Sequence, residues 1–473
     1  MELHVGLTGR GDLAAQIYRQ LLAAVLDGRL RPGERLPATR ELAERLGVSR
    51  NTVAVAYDRL TAEGFLVGRV GAGTYVGSQP VSVPRPRTAP AGSGVRPRAL
   101  WDSIPAVPRD AAPTYDFRVG TPDPRLFPLQ TWRRLVARQL RFSTVRSASY
   151  AEPAGHPDLR AAIARHIGVS RSVHAGADDI LVTQGAQQAL DLIGRVMIEP
   201  GDRVAVEEPG YPPARRLFTA LGARVTGVPV DAEGLDVTAL PRDTRLVYVT
   251  PSHQYPLGTP MSLARRTALL RWAERHDGVV VEDDYDSEYR FAGRPLEPLQ
   301  GLDRHGRVIY VGSFSKTLLP MLRIGFLVAP ASLQPALHTA KQLTDWYGDL
   351  TTQGTLARFI DEGLLARHVR KATREYAARH ERVLTVLGER FGDWLRPVPS
   401  AAGLHLCARL VPGSAVDLSR VLARARDAGV GVESLASYCA DRPAQPGLVI
   451  GYGGIPLADV DEGLRRLAES FDT

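Results

Sequence analysis

The decisive stretch of this 473-residue sequence reads GSFSKTLLPMLRIG, from Gly312 to Gly325. It follows Arg307–Val311, a short β-branched run that predicts a strand ending at a serine-rich loop. Lys316 in such a loop can form an imine with an aldehyde. The loop also offers side chains that can hold a phosphate dianion, namely Ser313, Ser315 and Arg323. The Gly-x-x-x-x-Gly-Lys-Ser/Thr spacing of a P-loop is absent from this stretch.

Composition narrows the choice of a covalent lysine. Among the 59 lysine and arginine residues only Lys316, Lys341 and Lys371 are lysines. Arginine stays protonated and forms no imine, so a lysine-dependent step has three candidates. The net charge of +8 is compatible with nucleic-acid binding but does not by itself indicate it.

The same composition bounds the class and compartment of the protein. With 44% hydrophobic and 23% charged residues, the chain can bury a large core and is globular. Its two cysteines, Cys407 and Cys439, exclude a disulfide scaffold and a cysteine-rich zinc site. No apolar run approaches the ~20 residues of a membrane helix, and the N-terminus lacks the pattern of a signal peptide. We therefore expect a cytoplasmic protein with no membrane contact and no metal site.

The chain divides into three zones. Residues 1–77 have helical patterns followed by a short β end, and residues 78–113 form a Pro/Arg-rich linker with eight prolines. Residues 114–473 alternate strand-like runs with helical stretches. These runs are Asp179–Thr183, Arg203–Val206, Leu246–Thr250, Val279–Glu282 and Arg307–Val311. Short apolar runs separated by helices predict an α/β domain with a mostly parallel sheet covered on both faces.

Three helices are predicted in the first zone. Asp12 is suited to cap the first helix, which ends near Gly28. A second short helix ends at Gly47, and Ser49 is suited to cap a third helix that runs to about Glu63. Helix, glycine turn and helix form the helix-turn-helix pattern. Two short β runs, 65–67 and 71–76, follow as a wing with a glycine tip.

This module resembles the winged helix-turn-helix of GntR-type bacterial repressors. The matching motifs are Leu36-Pro37-x-x-Arg40-x-Leu42-Ala43, Val48-Ser49-Arg50-x-Thr52-Val53, Ala56-Tyr57 and Gly71-x-Gly73-Thr74-Tyr75. The resemblance implies that the third helix enters the major groove and that the wing lies along the backbone or in the minor groove. A winged helix that binds only protein is the alternative.

The resemblance also gives the candidate DNA contacts. Arg50 can bond O6 and N7 of a guanine with both arms of its guanidinium. Groups suited to bind phosphates are on Arg40, Ser49 and Thr52. The wing tip, where glycine lets the backbone approach DNA, contributes Gly71, Gly73 and Thr74.

In the third zone, polar or aromatic groups follow several predicted strands. Thr183–Leu190 opens a helix whose free N–H groups can seat a phosphate. Tyr211 lies in a Pro-Gly-Tyr loop and can stack on a planar ring. The run Glu282–Tyr285 has three consecutive carboxylates, which need a cation or a donor if they are buried. A protonated pyridine nitrogen is such a partner. Ligands favour this edge of an open α/β sheet.

Together these segments resemble the fold-type I aminotransferases that use pyridoxal 5′-phosphate (PLP), which have a large domain and a smaller C-terminal α+β subdomain. The resemblance runs from about Tyr115 to Asp472 and includes Tyr150-x-x-Pro153-x-Gly155-x-x-x-Leu159-Arg160. It implies that Lys316 forms the internal aldimine and that Asp283 pairs with the pyridinium nitrogen, with Asp284 as the alternative. Tyr285 would bond the phenolic oxygen and Tyr211 would stack on the ring. The implied phosphate ligands are Gly185, Ala186, Gln187, Ser313, Ser315 and Arg323.

A winged helix joined by a long linker to such a domain identifies the chain as a member of the MocR/GabR class of bacterial regulators. The class implies a homodimer, often domain-swapped, in which PLP, and sometimes an amine or amino acid, alters DNA binding. A PLP-dependent aminotransferase with an accessory DNA-binding domain is one alternative, and a cofactor-free relative is another.

Two positions depart from the aminotransferase pattern. Tyr255 stands where the aminotransferases usually have an asparagine, and Leu257 replaces a threonine. Val449 stands where an arginine commonly binds the substrate carboxylate, and Arg442 cannot be placed by sequence. Valine forms no salt bridge, so the sequence disfavours efficient α-amino-acid transamination and favours PLP itself as the sensed ligand, as in regulators of vitamin B6 synthesis.

Overall fold

The computed structural model describes residues 5–7, 9, 11–69, 71–77, 94–104, 112–141, 150–292, 297–440 and 445–472. These residues form two compact units, divided between Arg98 and Ala99. Most of the predicted linker, 78–113, lies outside the described residues, and its boundaries stay predictions. Its described part contains a four-residue helix, Leu100–Ser103, which the proline-rich composition did not predict. That helix lies in the stretch between Pro97 and Pro105, where no proline removes a backbone N–H.

The first unit has the predicted helices and wing. Its elements are α1 (Leu13–Leu26), α2 (Thr39–Leu46), α3 (Arg50–Ala62), β1 (Leu66–Arg69) and β2 (Gly73–Val76). The Asp12 carboxylate accepts from the Ala15 N–H at 3.1 Å and caps α1, as predicted. Gly47 has φ +65° after α2, a conformation that favours glycine. The strands β1 and β2 pair antiparallel, as in a wing.

The second unit contains more elements than the sequence patterns predicted. Its helices are α4 (Leu100–Ser103), α5 (Leu129–Gln139), α6 (Pro157–Arg171), α7 (Ala186–Met197), α8 (Pro212–Ala220), α9 (Leu263–Arg275), α10 (Leu299–Leu302), α11 (Gln334–Thr344), α12 (Leu350–Asp361), α13 (Leu364–Arg390), α14 (Leu418–Asp427) and α15 (Val460–Glu469). Its strands are β3 (Tyr115–Asp116), β4 (Ile180–Thr183), β5 (Arg203–Glu208), β6 (Arg224–Asp231), β7 (Gly234–Leu235), β8 (Thr244–Val249), β9 (Val279–Asp284), β10 (Val308–Ser313), β11 (Gly325–Val328), β12 (Leu395–Pro397), β13 (His405–Leu410), β14 (Val430–Gly431), β15 (Glu433–Ser434) and β16 (Gly447–Gly451). None of the described helices is both long and apolar enough to cross a bilayer.

The largest sheet has eight strands in the order β4-β11-β10-β9-β8-β5-β6-β7. Neighbours from β10 through β9, β8 and β5 to β6 are parallel, and β11 runs antiparallel to both β10 and β4. Five strands that precede the predicted site residues therefore end at one edge: β4, β5, β8, β9 and β10. The prediction of a mostly parallel sheet is confirmed.

Apolar residues cover both faces of this sheet. In β5, Val204 and Val206 pack in one core cluster, whereas Ala205 packs in another. The sequence pattern of short continuous apolar runs is explained by this burial, because a strand covered on both faces needs no polar side. A second sheet, β12-β13-β16-β15, packs with α13 and α15 around a separate core and forms the smaller C-terminal α+β subdomain.

Candidate functional site

Lys316 lies in the loop after β10, at the sheet edge where the five strands end. Its Nζ donates to the Gly120 carbonyl oxygen at 2.6 Å. Gly120 has φ +86°, a conformation that favours glycine, and a Cβ there would lie 2.9 Å from Nζ, so a larger residue would displace the amine. Burial lowers the pKa of Lys316, and the carboxylates of Asp286 and Asp283 oppose that shift. A lowered pKa makes the neutral, nucleophilic amine more accessible.

Asp283 is a buried carboxylate near the carboxyl end of β9. Its Oδ2 accepts from the Tyr248 hydroxyl at 2.7 Å, whereas its buried Oδ1 has no hydrogen-bond partner within the described residues. Burial raises the pKa of Asp283 to about 7. A free carboxylate oxygen in a dry site is suited to accept from a protonated ring nitrogen, which would restore its charge. The residues present therefore fit a pyridinium ring at this edge.

The neighbouring Asp284 is committed elsewhere. Adjacent strand residues point to opposite faces, and Asp284 Oδ2 accepts from Arg171 Nε at 2.7 Å and from the Tyr310 hydroxyl at 2.6 Å. Arg171 Nη2 also donates to the Ser252 hydroxyl at 2.7 Å. Although burial raises the pKa of Asp284, the Arg171 guanidinium holds it below its ordinary value. The alternative register, with Asp284 on the ring nitrogen, does not fit this buried ion pair.

The predicted phosphate ligands come together at the start of α7. Gly185 has φ +81°, and a Cβ there would lie 3.0 Å from Arg323 Nη2. The guanidinium of Arg323 donates to the Gln184 carbonyl oxygen at 2.5 Å. Ala186 and Gln187 are the first two residues of α7, where N–H groups have no intrahelical acceptor. Across from them, the Ser313 hydroxyl accepts from the Ser315 N–H at 3.1 Å. Free N–H groups at a helix start together with a guanidinium are suited to bind an anion.

Because the resemblance to the aminotransferases implies PLP at this site, we expect Arg323→Ala to weaken PLP binding roughly 10- to 150-fold, since a hydrogen bond to a charged group contributes about 1.5–3 kcal/mol. Alanine has the same Cβ, so it adds no strain at the φ of +51° of this residue. The measurement is a titration of cofactor-free protein with PLP, followed by absorbance. Arg358→Ala, an exposed arginine on α12, is the control. Equal affinities for the two variants would contradict the phosphate assignment.

An aromatic group borders the Asp283 side of the site. Tyr211, directly before α8, meets the Tyr255 ring edge-to-face with centroids 5.4 Å apart. Burial raises the pKa of Tyr211 to about 12, and the charge of Asp283 adds to this shift. The Tyr285 ring packs edge-to-face against Tyr255 at 5.6 Å. The Tyr285 hydroxyl donates to the His253 carbonyl oxygen at 2.9 Å. The two tyrosines predicted to touch the cofactor therefore meet around Tyr255.

Val449 lies where the second sheet faces this group. It is fully buried on β16, in an apolar cluster with Leu257 and Tyr438, and Tyr255 packs against the cluster. Its partner in register is Cys407 on β13. Arg442 lies outside the described residues. The position where aminotransferases commonly have an arginine is thus occupied by a buried valine, which offers no charge.

The candidate DNA contacts lie on α2, on α3 and on the wing of the first unit. Arg40 and Arg50 are exposed. The Ser49 oxygen accepts from the Thr52 N–H at 3.1 Å and shares a hydrogen bond with the Thr52 hydroxyl at 2.8 Å. These two hydroxyls therefore already serve the start of α3. At the wing, Gly71 and Gly73 are exposed and have positive φ, and Thr74 is half-buried.

Several residues that sequence patterns did not single out belong to these sites. On the wing, Arg35 lies 3.0 Å from the position of a Cβ on Gly73, and Arg69 stacks over the Tyr75 ring at 4.7 Å. In the second unit the additional residues are Gly120, Arg171, Tyr248, His253, Asp286 and His405. His253 belongs to the polar turn Thr250–Gly258, which follows a predicted strand and which the sequence places at the ligand-binding edge, although it does not assign the histidine a role. The other residues come from segments far apart in the chain. The Arg35–Tyr75 bridge is likewise visible only in the folded wing.

Comparisons with known proteins cover both units. A sequence profile for "Aminotransferase class I and II" matches residues 117–438, and one for "Bacterial regulatory proteins, gntR family" matches residues 13–76. The chain is 40% identical over 460 residues to the probable rhizopine catabolism regulatory protein MocR of Rhizobium meliloti, covering 96% of this chain and 93% of that protein. It is 34% identical over 447 residues to the HTH-type pyridoxine biosynthesis transcriptional regulator PdxR of Corynebacterium glutamicum, covering 93% and 92%. Pyrococcus horikoshii kynurenine aminotransferase superposes with a TM-score of 0.70 and 30% identity, covering 76% of this chain and 90% of that structure.

Proposed function

Because this chain belongs to the MocR type of gntR-family transcriptional regulators, which carry a class I and II aminotransferase domain, we propose that PLP held at Lys316 changes how its winged helix binds double-stranded DNA. The observation that carries the proposal is the meeting of an amine, a free acid oxygen and an anion seat at one sheet edge. These are Lys316, Asp283 Oδ1, and the start of α7 with Arg323.

When bound, PLP supplies an aldehyde that reacts with primary amines and a ring that accepts electrons. In this proposal Lys316 provides the amine that holds the cofactor, and Asp283 keeps a proton on the ring nitrogen. The Tyr285 hydroxyl would bond the phenolic oxygen and Tyr211 would stack on the ring. The residues that would hold the phosphate are Gly185, Ala186, Gln187, Ser313, Ser315 and Arg323.

The sensed ligand in this proposal is PLP itself. Val449 and its apolar neighbours offer no charge to an amino-acid carboxylate, which supports PLP over an α-amino acid as the signal. The relative from Corynebacterium glutamicum is named for pyridoxine biosynthesis. Control of vitamin B6 genes is therefore the first pathway to test, and genes of amine or amino-acid metabolism are the second. To act as a switch, PLP has to bind the protein's conformations with different affinities.

A homodimer, in the domain-swapped form or without a swap, is part of the proposal. Apolar side chains are exposed near the anion seat, including Tyr150 at 76% and Met321 at 78% exposure. The Tyr150 ring packs on Trp346 with centroids 4.5 Å apart. Exposed apolar groups in one region mark association surfaces, and two winged helices would read two half-sites.

The test is DNA binding to the region upstream of the protein's own gene, with cofactor-free and PLP-loaded protein at one salt concentration. Salt has to be constant because phosphate contacts make affinity steeply dependent on ionic strength. We expect a specific complex with two protected half-sites and an affinity or footprint that changes with PLP. A specific complex that is indifferent to PLP would contradict PLP as the signal.

We expect Arg50→Ala to weaken binding to the operator roughly 5- to 150-fold, because a bidentate arginine–guanine pair contributes about 1–3 kcal/mol. The measurement is a comparison of affinity for the operator and for unrelated DNA. Arg19→Ala, an exposed arginine on α1, is the matched control. An equal loss on both DNAs would mean that Arg50 contacts phosphate rather than a base.

A second candidate is a working aminotransferase with an accessory DNA-binding domain, because solved aminotransferases share the fold. Val449 argues against it. We propose instead that the domain binds ligand without efficient turnover. Multiple-turnover formation of keto acids from a panel of amino acids would favour the enzyme.

A further inference from the structure

His253 is the centre of a buried hydrogen-bond cluster beside Tyr285. The imidazole is 1% exposed and lies in the loop after β8. Its Nδ1 is 3.1 Å from both carboxylate oxygens of Asp286 and 3.0 Å from the Tyr285 hydroxyl oxygen. Its Nε2 is 3.1 Å from the Ser400 hydroxyl, in the C-terminal subdomain. The ring therefore joins the Tyr285 loop to the second sheet.

These partners define the hydrogen positions. A carboxylate only accepts, so Nδ1 carries the proton and donates toward Asp286 and the Tyr285 oxygen. With no cofactor bound, the Tyr285 hydrogen goes to the His253 carbonyl oxygen at 2.9 Å, and in the proposed complex it would turn to the cofactor's phenolic oxygen. Nε2 is then the acceptor for the Ser400 hydroxyl. Each imidazole nitrogen therefore has a hydrogen-bond partner, Nδ1 as a donor and Nε2 as an acceptor.

Two glycines leave the ring the space it fills. A Cβ on Gly403, which has φ +82°, would lie 2.2 Å from His253 Cε1. A Cβ on Gly258, which has φ +82°, would lie 3.1 Å from Nε2. The first contact leaves no room for a Cβ, and the second would require the ring or its neighbour to shift slightly, so the two glycines make space for the imidazole.

The neighbouring Tyr255 hydroxyl bonds a different residue. Its hydroxyl donates to the Tyr438 hydroxyl at 3.5 Å, away from Tyr285. The other ionisable groups around Tyr285 and His253 are Glu207, Asp283, Lys316, His380 and His405. Among the described residues, His253 is the side chain that hydrogen-bonds the Tyr285 hydroxyl.

We propose that His253, oriented by Asp286, is a positioning residue that holds and polarises the Tyr285 hydroxyl, and so sets the protonation of the cofactor bound to Lys316. This inference rests on the proposed function, since it assumes that PLP occupies the site. A donor on the Tyr285 oxygen makes its O–H a stronger donor to an anionic oxygen. Loss of that donor would leave the cofactor's phenolic oxygen more basic, and the bound chromophore would keep its proton to higher pH.

The test uses two conservative variants that separate the two sides of the ring. His253→Asn places an amide near the Nδ1 position and keeps a donor for Tyr285, whereas His253→Gln places it near Nε2 and keeps only the Ser400 side. The measurement is the absorbance of full-length, PLP-loaded protein titrated with pH. We expect the chromophore's apparent pKa to rise by about one unit in H253Q, a tenfold change in the proton equilibrium, and to stay at the wild-type value in H253N.

Controls and a double variant complete the test. His305→Asn, at an exposed histidine, should match wild type. In a Tyr285→Phe background, H253Q should cause no further shift, because His253 acts through the Tyr285 hydroxyl. If H253Q does not fold, His253→Leu, which also lacks the donor, is expected to show the same rise.

The outcomes separate this inference from the proposed function. Wild-type protein that takes up no PLP would overturn the proposed function. Wild-type uptake with an unshifted H253Q titration would overturn only the role of His253, and equal shifts in H253N and H253Q would reduce that role to filling space. His253, Asp286 and His405 could also hold a metal ion, their ligand atoms lying within 4.8 Å of one another. A wild-type titration that changes on dialysis against EDTA would overturn the hydrogen-bond role in favour of that ion.

Discussion

Lys316→Ala is expected to abolish covalent PLP incorporation and, with it, every PLP-dependent change in operator binding. The Lys316 side chain is half-buried at the site edge, and alanine has no group that can take its place. Borohydride reduction followed by mass spectrometry measures the covalent adduct, and operator titrations with and without PLP measure the response. Binding of the cofactor-free variant to the operator should equal that of the cofactor-free wild type, because the winged helix forms a separate compact unit.

The matched control for this prediction is Lys371→Ala. Lys371 is an exposed lysine on α13 and is absent from the sheet-edge loops. It should incorporate PLP and respond to it as the wild type does. A PLP response that persists in Lys316→Ala would show that non-covalent occupancy is enough, and the covalent part of the proposal would fall.

The two adjacent acids on β9 are expected to respond in opposite ways to neutralisation. Asp284→Asn should destabilise the fold by about 3–5 kcal/mol, because it leaves the buried Arg171 charge without its counter-ion. The Asp284 side chain is 1% exposed and the Arg171 side chain is 5% exposed. Urea unfolding of cofactor-free protein measures the loss. Asp361→Asn breaks an exposed ion pair with Arg165 and should cost less than about 1 kcal/mol.

Asp283→Asn is expected to stabilise the cofactor-free protein at pH 8 and to weaken PLP binding. The pKa of Asp283 is raised to about 7 in the folded state from an ordinary value of 3.8. The folded protein therefore holds this proton more tightly than the unfolded chain, and wild-type stability falls as pH rises from about 4 to 7. Asparagine has no carboxyl group to deprotonate, so the variant does not lose stability in this way. Its gain in unfolding free energy over the wild type should be absent near pH 4 and reach a few kcal/mol above pH 7.

Asp284 has the reverse pH dependence. Its pKa is lowered in the fold, so its stabilising contribution is present above its unfolded pKa and is lost as pH falls through the folded value. The cost of Asp284→Asn should therefore shrink in acid. Equal stability of the two variants at pH 8 would contradict the different roles assigned to the two acids.

Local sequence rules predicted the parts of the fold that depend on neighbours in the chain. Asp12 and Ser49 cap α1 and α3, and Gly47 ends the second helix, because capping needs only a side chain within three residues of its partner. The strands β5, β8 and β9 were predicted from their apolar runs. The helix Leu100–Ser103 was missed because the proline-rich average of its surroundings hid a short stretch without proline.

By itself the sequence determined the two-part architecture, five strands of the large sheet and the residue types at their ends, since these depend on local pattern and on parallel strands ending at one edge. The tertiary structure decided which neighbouring acid is available, because Asp284 forms a buried ion pair with Arg171, whereas Asp283 accepts from the neutral Tyr248 hydroxyl. It also brought His253 between Tyr285 and Ser400, the latter 147 residues further along the chain than His253. Contacts across such separations arise from packing of the two sheets, and burial then sets the charge of each group.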